Sequence, residues 1–336
     1  MALIKLNNRS SEDTAIHGRR NLIINGAMQV AQRGTSFTGI TSTIAYRMDR
    51  WQVGFGAAGS NYAITQATDA PDNFKYSMKW QRTASNAVTN SIWFSQAFES
   101  INSKVVAGKT CTLSYYAKKG ANYSASSSDI QVRIISGTGT DESATSAITA
   151  GWAGYATPLS TTQVITTGWV RYTHSVTFAS NVNQISVNLA SNSAGTAGAD
   201  DSLYITGVQL EIGDVATPFD DIGSYGDELA KCQRYCAVIT SSGSPGSTMY
   251  RDYYCTDTMV TSSELPVQMR ATPTMTMTGS GGTSSTGFTY TNLAATPTLA
   301  PASPFHVLVY RGVASSARTY IYLQSPTGEL TVEAEL

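Results

Sequence analysis

The sequence predicts an all-β protein, and three observations carry that expectation. Charged residues make up 13% of the 336-residue chain, Gly outnumbers Pro 28 to 10, and Ser and Thr abound. Thr, Tyr and Val suit pleated strands, while Gly, Ser and Asn suit the turns between them. From Asn21 onward, short alternating segments follow one another, and no convincing helical periodicity intervenes before residue 224.

Residues 1–18, "MALIKLNNRSSEDTAIHG", hold one alternating piece, Leu3-Ile4-Lys5-Leu6, and then polar residues. They cannot bury enough to fold alone and would be ordered only by docking on another surface. "RRNLIINGAMQVAQRGTSF" (19–37) then opens abruptly, with "NLIINGAM" expected as the first strand and a turn at Gly34. Nine further segments read as strands: "WQVGF" (51–55), "NYAITQA" (61–67), "YSMKWQR" (76–82), "SIWFSQAF" (91–98), "TCTLSYYAK" (110–118), "DIQVRIIS" (129–136), "WVRYTHSVTF" (169–178), "QISVNLA" (184–190) and "LYITGVQLEIG" (203–213). So many short strands specify an antiparallel sandwich of jelly-roll type. Strict alternation along "WVRYTHSVTF" places Trp169 outward.

A helix is expected over "SYGDELAKCQRYC" (224–236). Ser224 stands three residues before Asp227 in a capping-box pattern, and Leu229, Cys232 and Cys236 form one stripe. This helix marks the joint in a three-part chain: 1–20 as an attachment segment, 21–222 as the jelly roll, and 223–336 as the helix plus a second, smaller β-sandwich. Strands of the last part are read in "CAVITSS", "YRDYYCTDTMVTSSELP", "PTMTMTGS", "GFTYTNLA", "FHVLVYRG", "RTYIYLQS" and "ELTVEAEL", with "GSGGTSSTG" (279–287) as a hairpin tip.

Composition also excludes function classes. The formal net charge is −1 and no basic run exceeds two residues, so the electrostatic footprint of a nucleic-acid binder is missing. No apolar stretch approaches the roughly 20 residues of a membrane-spanning helix, and the N-terminus lacks the order of a signal peptide. Cys111, Cys232, Cys236 and Cys255 have no disulfide-framework spacing, and His17, His174 and His306 lie too far off to complete a zinc site, so buried free thiols are expected.

"NLIINGAMQVAQRGTSF", "YRMDRW" (46–51), "VQLEIGDVATPFD" (208–220), "YGDELAKCQRYC" and "LPVQMRATPTMT" (265–276), with the terminal "AEL", resemble a family of bacteriophage tail-fibre and virion-appendage proteins. The likeness runs from about residue 20 to the last residue, and the order of the motifs is its specific part. Cys236 departs from it, standing where the family usually has an aromatic after the "CQRY" tyrosine. The resemblance implies a jelly roll like the carbohydrate-binding modules followed by a compact C-terminal β domain. It further implies a virion location after assembly in the host cytoplasm, contacts with other virion proteins through residues 1–20, a host-surface glycan or receptor as partner, and a homotrimer. No heptad run supplies a coiled-coil stalk. A structural fibre or spike subunit for host attachment is the leading expectation. A purely structural tail adaptor or capsid decoration protein is the alternative, and a polysaccharide depolymerase the third.

Sugar recognition needs aromatic faces in loops. Trp152 and Tyr155 in "ITAGWAGYATP", Tyr123 beside Asn122 in "KKGANYSASSSD", and Tyr253 in "MYRDYY" are the ligand-binding candidates. Jelly-roll carbohydrate-binding modules often hold a structural Ca²⁺ near the start of the last strand, so the resemblance admits one at Asp200 and Asp201. Asp49 in "YRMDRW" is read as holding the fold rather than a ligand. No enzyme is expected. The chain has no G-x-S-x-G and no P-loop, and the adjacent acids Asp141 and Glu142 would diverge on a strand, where glycoside hydrolysis needs two carboxyls facing one bond.

Overall fold

The structure, a computed structural model, describes residues 20–41, 44–55, 61–125, 127–219, 224–240, 251–255, 258–278, 288–290, 298–303, 306–312, 321–323 and 329–336. The leader and the run 279–287 lie outside the described residues. The chain divides into two compact units, the first reaching Tyr225 and the second covering Gly226–Glu335.

Among the described residues twelve strands build the first unit: β1 (Ser36–Ile40), β2 (Ala45–Met48), β3 (Trp51–Phe55), β4 (Tyr62–Ala67), β5 (Ser77–Arg82), β6 (Ser91–Ala97), β7 (Thr110–Lys119), β8 (Asp129–Gly137), β9 (Ala156–Val164), β10 (Val170–Thr177), β11 (Gln184–Asn192) and β12 (Ser202–Ile212). They form two six-stranded sheets, ordered β1-β4-β5-β12-β7-β10 and β2-β3-β6-β11-β8-β9, with every pairing antiparallel. From β7 to β12 the chain passes repeatedly between the sheets, as in a jelly roll.

Alternation explains the sandwich. Met78, Trp80, Leu113, Tyr115, Leu203, Ile205 and Leu210 point inward from the first sheet, and Trp51, Val53, Ile92, Phe94, Val132, Ile134, Val187 and Leu189 from the second, forming one continuous core. Trp51 stacks on Phe94 with ring centroids 4.2 Å apart. In β12 the pairing with β7 slips by one residue between Thr206 and Gln209. Gly207 takes up the extra residue at φ +59°, where a Cβ would also lie 2.6 Å from the Phe74 ring.

The opening stretch corrects the expectation of a first strand. Residues 20–34 make no ladder and are instead stitched to both sheets. The Asn21 side chain donates to Val208 O at 3.1 Å and accepts from the Leu210 and Ile23 amides, while Leu22 N–H donates to Leu210 O at 2.9 Å. The Gln96 amide of β6 exchanges two 2.8 Å hydrogen bonds with the backbone of Ile24, doing for one residue what a neighbouring strand does. Asn-rich sequence wins over strand propensity because side-chain amides satisfy this backbone locally. The strands β1, β2 and β9 were not expected. β9 is an edge strand exposed on both faces, so it carries no apolar alternation.

"YRMDRW" holds the fold. Asp49 is fully buried, and its carboxylate accepts from the Gln32 backbone and side chain at 2.6 and 2.8 Å. Burial pushes its carboxyl above the ordinary range, against the Arg33 charge and the Gln32 bonds. Arg50 donates to Ala97 O, and Trp51 Nε1 to Asn25 O.

In the second unit, helix α1 (Tyr225–Gln233) precedes β13 (Cys236–Thr240), β14 (Arg251–Cys255), β15 (Thr258–Glu264), β16 (Thr274–Thr278), β17 (Phe288–Tyr290), β18 (Thr298–Ser303), β19 (His306–Gly312), β20 (Ile321–Leu323) and β21 (Glu329–Glu333). The helix is shorter than expected: it ends at Gln233, and Cys236 already belongs to β13, paired with Glu333. The described strands of this unit form three sheets, β13-β21-β16, β14-β15-β19-β18 and β17-β20. Leu265, Met269, Val332 and Ala334 form a small core there. Cys111, Cys232 and Cys236 are buried free thiols, and burial pushes the Cys111 thiol up to about 12.

Candidate functional site

The register of the second sheet aligns its outward residues into rows running across the strands. Tyr46, Gln52, Ser95, Asn188, Arg133 and Ser160 stand side by side on β2, β3, β6, β11, β8 and β9, so one polar row crosses all six strands. Next to it lies the row Gly54, Trp93, Ala190, Gln131 and Thr162. At about 4.8 Å per strand the longer row spans roughly 24 Å. Exposure falls from β9, where Ser160 and Thr162 are open, through half-buried Gln131 and Arg133, to fully buried Asn188. A cavity of about 380 Å³ opens against Gln131, Arg133, Ser160, Thr161 and Thr162.

The unusual property of this face is its unpaired polar atoms. Gln52 Oε1, Trp93 Nε1, Ser95 Oγ, Arg133 Nε, Ser186 Oγ and Asn188 Nδ2 are all buried without a hydrogen-bond partner. An orphaned buried polar group costs about 1–3 kcal/mol, and six on one face of one sheet are not incidental. Within the long row the contacts are few: Arg133 donates to Asn188 Oδ1 at 3.2 Å, and Gln52 donates to Thr145 Oγ1 at 3.1 Å. Trp93 lies directly on Gly54, where a Cβ would meet the indole at 2.4 Å, so the glycine sets the height of the ring above the sheet.

One end of the face is closed by the β8–β9 connection. A short helix, α2 (Ala144–Ile148), packs Ala144 and Ala147 with Trp152 against Ala97 and Ile135. Ser143 caps it by accepting from Thr145 N. The adjacent acids serve this loop: Asp141 accepts from Ser100 N at 2.7 Å, and Glu142 from Ala153 N and the Gln184 side chain. They are structural acceptors and do not converge on an open site.

The expected ligand residues fall elsewhere. Trp152 is 4% exposed with Nε1 donating to Ser143 O at 2.9 Å, so it anchors the loop and offers no open ring. Tyr155 packs half-buried against the same cluster. Tyr123 joins the core edge, its hydroxyl donating to Asp129 O at 2.9 Å and bonded to Ser191 Oγ, and burial raises its pKa. The side chain of Tyr253, on β14, lies outside the described residues.

Asp200 and Asp201 do not fit a calcium ion. Asp201 is buried in an ion pair with Arg82 at 3.0 Å and accepts from Ser124 N and Oγ, and a guanidinium at that distance repels a second cation. Asp200 accepts from Ala121 N and Ser202 Oγ. Among the described residues no three His, Cys, Asp or Glu side chains gather as a metal site, and no helix is long and apolar enough to cross a membrane.

The row on the second sheet was missed in the sequence, although a signal existed. In "SIWFSQAF", "QISVNLA" and "DIQVRIIS" the phase that is not apolar holds Trp93, Ser95, Ser186, Asn188, Gln131 and Arg133. A tryptophan in the polar phase of an alternating strand was the visible anomaly.

No protein-family profile and no curated protein matches the chain. Solved structures that resemble it include β-sandwich carbohydrate-binding modules and a phage tailspike domain. The enzymatically active domain of bacteriophage CBA120 tailspike protein 4 aligns over 58% of this chain at 13% identity and a TM-score of 0.37, and the alignment spans 22% of that chain. A carbohydrate-binding module from the β-sandwich superfamily aligns over 52% of this chain and 62% of its own, at 13% identity and a TM-score of 0.35. The CBM22-1 xylan-binding domain from Paenibacillus barcinonensis aligns over 54% of this chain and 94% of its own, at 13% identity and a TM-score of 0.29.

Proposed function

We propose that the first unit binds carbohydrate across the outward face of its second sheet, and that the chain is a non-catalytic fibre or spike subunit of a phage virion that presents this face to the host surface. The observation that supports the binding reading is the row Gln52, Ser95, Asn188 and Arg133 with its buried unpartnered atoms beside Trp93. Sugars offer what such a row lacks: hydroxyls at short, regular intervals that pair with fixed amides and hydroxyls. The virion reading rests on the motif order from "NLIINGAM" to "AEL". In a trimer, three modest sites would gain by avidity.

Binding of the full chain to an array of bacterial surface glycans tests the site. Asn188→Ala should weaken the bound glycan about tenfold, consistent with the loss of roughly one to two hydrogen bonds. Trp169→Ala, on the outward face of the first sheet, should leave affinity unchanged. Equal affinity of wild type and Asn188→Ala would reject the face. Antibody labelling of intact particles tests the virion location, and light scattering tests the trimer. Wild-type protein that labels particles yet binds no glycan or host cell would favour the tail-adaptor or decoration role, and release of reducing ends from host polysaccharide would favour the depolymerase.

A further inference from the structure

The donor and acceptor balance of the same face points to the class of sugar, an inference that rests on the carbohydrate-binding reading. Of the six unpartnered atoms, Trp93 Nε1, Arg133 Nε and Asn188 Nδ2 can only donate, Ser95 and Ser186 hydroxyls can do either, and Gln52 Oε1 alone can only accept. The orientation of Asn188 is fixed by chemistry. Its Oδ1 receives Arg133 Nη2 at 3.2 Å, and the flipped amide would set two donors against each other, so Nδ2 stays unpaired.

Charge adds to this imbalance. Neither the long row nor its neighbour contains a carboxylate, and Arg133 has no acidic partner among the described residues. The nearest acid in the same phase of β8 is Asp129, two rows away. Glu142 is already held by Gln184 and the Ala153 amide. A neutral sugar hydroxyl brings a donor for each acceptor and would leave its own O–H groups short of partners here. A sugar carboxylate only accepts, through two oxygens, and forms the stronger, charge-assisted bonds with a guanidinium.

We infer that the face selects an acidic polysaccharide, with a uronic-acid carboxylate received by Arg133 where the cavity opens beside Gln131 and Ser160. The 380 Å³ cavity against Gln131, Arg133 and Ser160 gives that carboxylate its approach from the open β9 side.

The test measures binding of the full chain to polygalacturonate and hyaluronan, each beside its carboxyl-reduced neutral form. The acidic forms should bind at least tenfold more tightly, and added salt should narrow the ratio. Arg133→Gln should bring the acidic forms down to the affinity of the neutral ones, while Arg133→Lys, which keeps the charge but not the fork, should retain part of the preference. Thermal melting of both variants separates a loss of fold from a loss of selectivity. Equal binding of acidic and reduced forms by the wild type would overturn the inference while leaving the binding face intact, as would an unchanged ratio in Arg133→Gln. Binding of no glycan in any form would overturn both.

Discussion

The outward faces of the two sheets in the first unit obey the same alternation and differ in what their polar groups do. On the first sheet those groups are turned on one another. Glu211 accepts from Thr217 N, Thr217 Oγ1 and Gln209 Nε2 at 2.8, 2.6 and 2.7 Å, Arg171 donates to Ser114 and Thr217, and Thr206 donates to Tyr76 O at 2.7 Å. Asp69 pairs with Lys118 and accepts from Trp169 Nε1, and Lys118 sits 4.7 Å over the Tyr204 ring. Burial pushes the Asp69 carboxyl up, and the Lys118 and Trp169 bonds more than offset it, so its pKa lies below the ordinary value. Among the described residues only Arg171 Nε is orphaned on that face, against six atoms on the other. The polar groups of the first face are thus satisfied within the protein, while those of the second keep unpaired donors and acceptors.

The sharpest way to break this contrast is Glu211→Ala. It strips three donors of their acceptor in a buried position, and a loss of about 3 kcal/mol is expected in denaturant unfolding. Glycan affinity of the protein that remains folded should not change. Ser95→Ala probes the second sheet and should do the opposite. Removing an orphaned hydroxyl should leave stability equal or up to about 1 kcal/mol higher, while ligand binding weakens severalfold. A destabilised Ser95→Ala would mean that the hydroxyl has a structural partner after all. The smallest effect is expected from Asp49, which belongs to neither face. Its folded pKa lies above the unfolded value, so its contribution is fully present below the unfolded pKa and is lost as pH rises through the folded one. The stability of wild type relative to Asp49→Asn should therefore fall on going upward through the carboxylate range and stay flat beyond it. A difference that rises instead would reverse the assigned burial effect.

Much of the sandwich was legible because its inner strands carry their own evidence. The nine segments expected after "NLIINGAM" in the first unit are all strands, and β6, β8, β11 and β12 each show an apolar phase that packs the core. Edge strands β1, β2 and β9 were invisible because one or both faces meet solvent, and "ATPLSTTQV" has no phase to read. "NLIINGAM" misled for the converse reason: Ile23 and Met28 are buried as in a strand, but the backbone is satisfied by the side chains of its own Asn21 and of the remote Gln96. The candidate site was hidden by a preference for loops. The Gly-rich surroundings of Trp152 read as an open loop, yet Gly154, at φ +60°, lets the chain turn while the indole packs on Ala144 and Ala147. The polar row needs residues from six strands in register, and register is not written in any one of them.

The closure at Asn21 has a consequence for the order of events in synthesis. Its side chain bonds Val208 O and the Leu210 amide, the neighbouring Leu22 amide bonds Leu210 O, and Gly26 O accepts from the Val208 amide. A nascent first unit therefore holds an unfinished seam until nearly its whole length has left the ribosome. Contacts of such sequence separation place folding of the order of milliseconds to seconds. The seam at Asn21 closes only once β12 is in place.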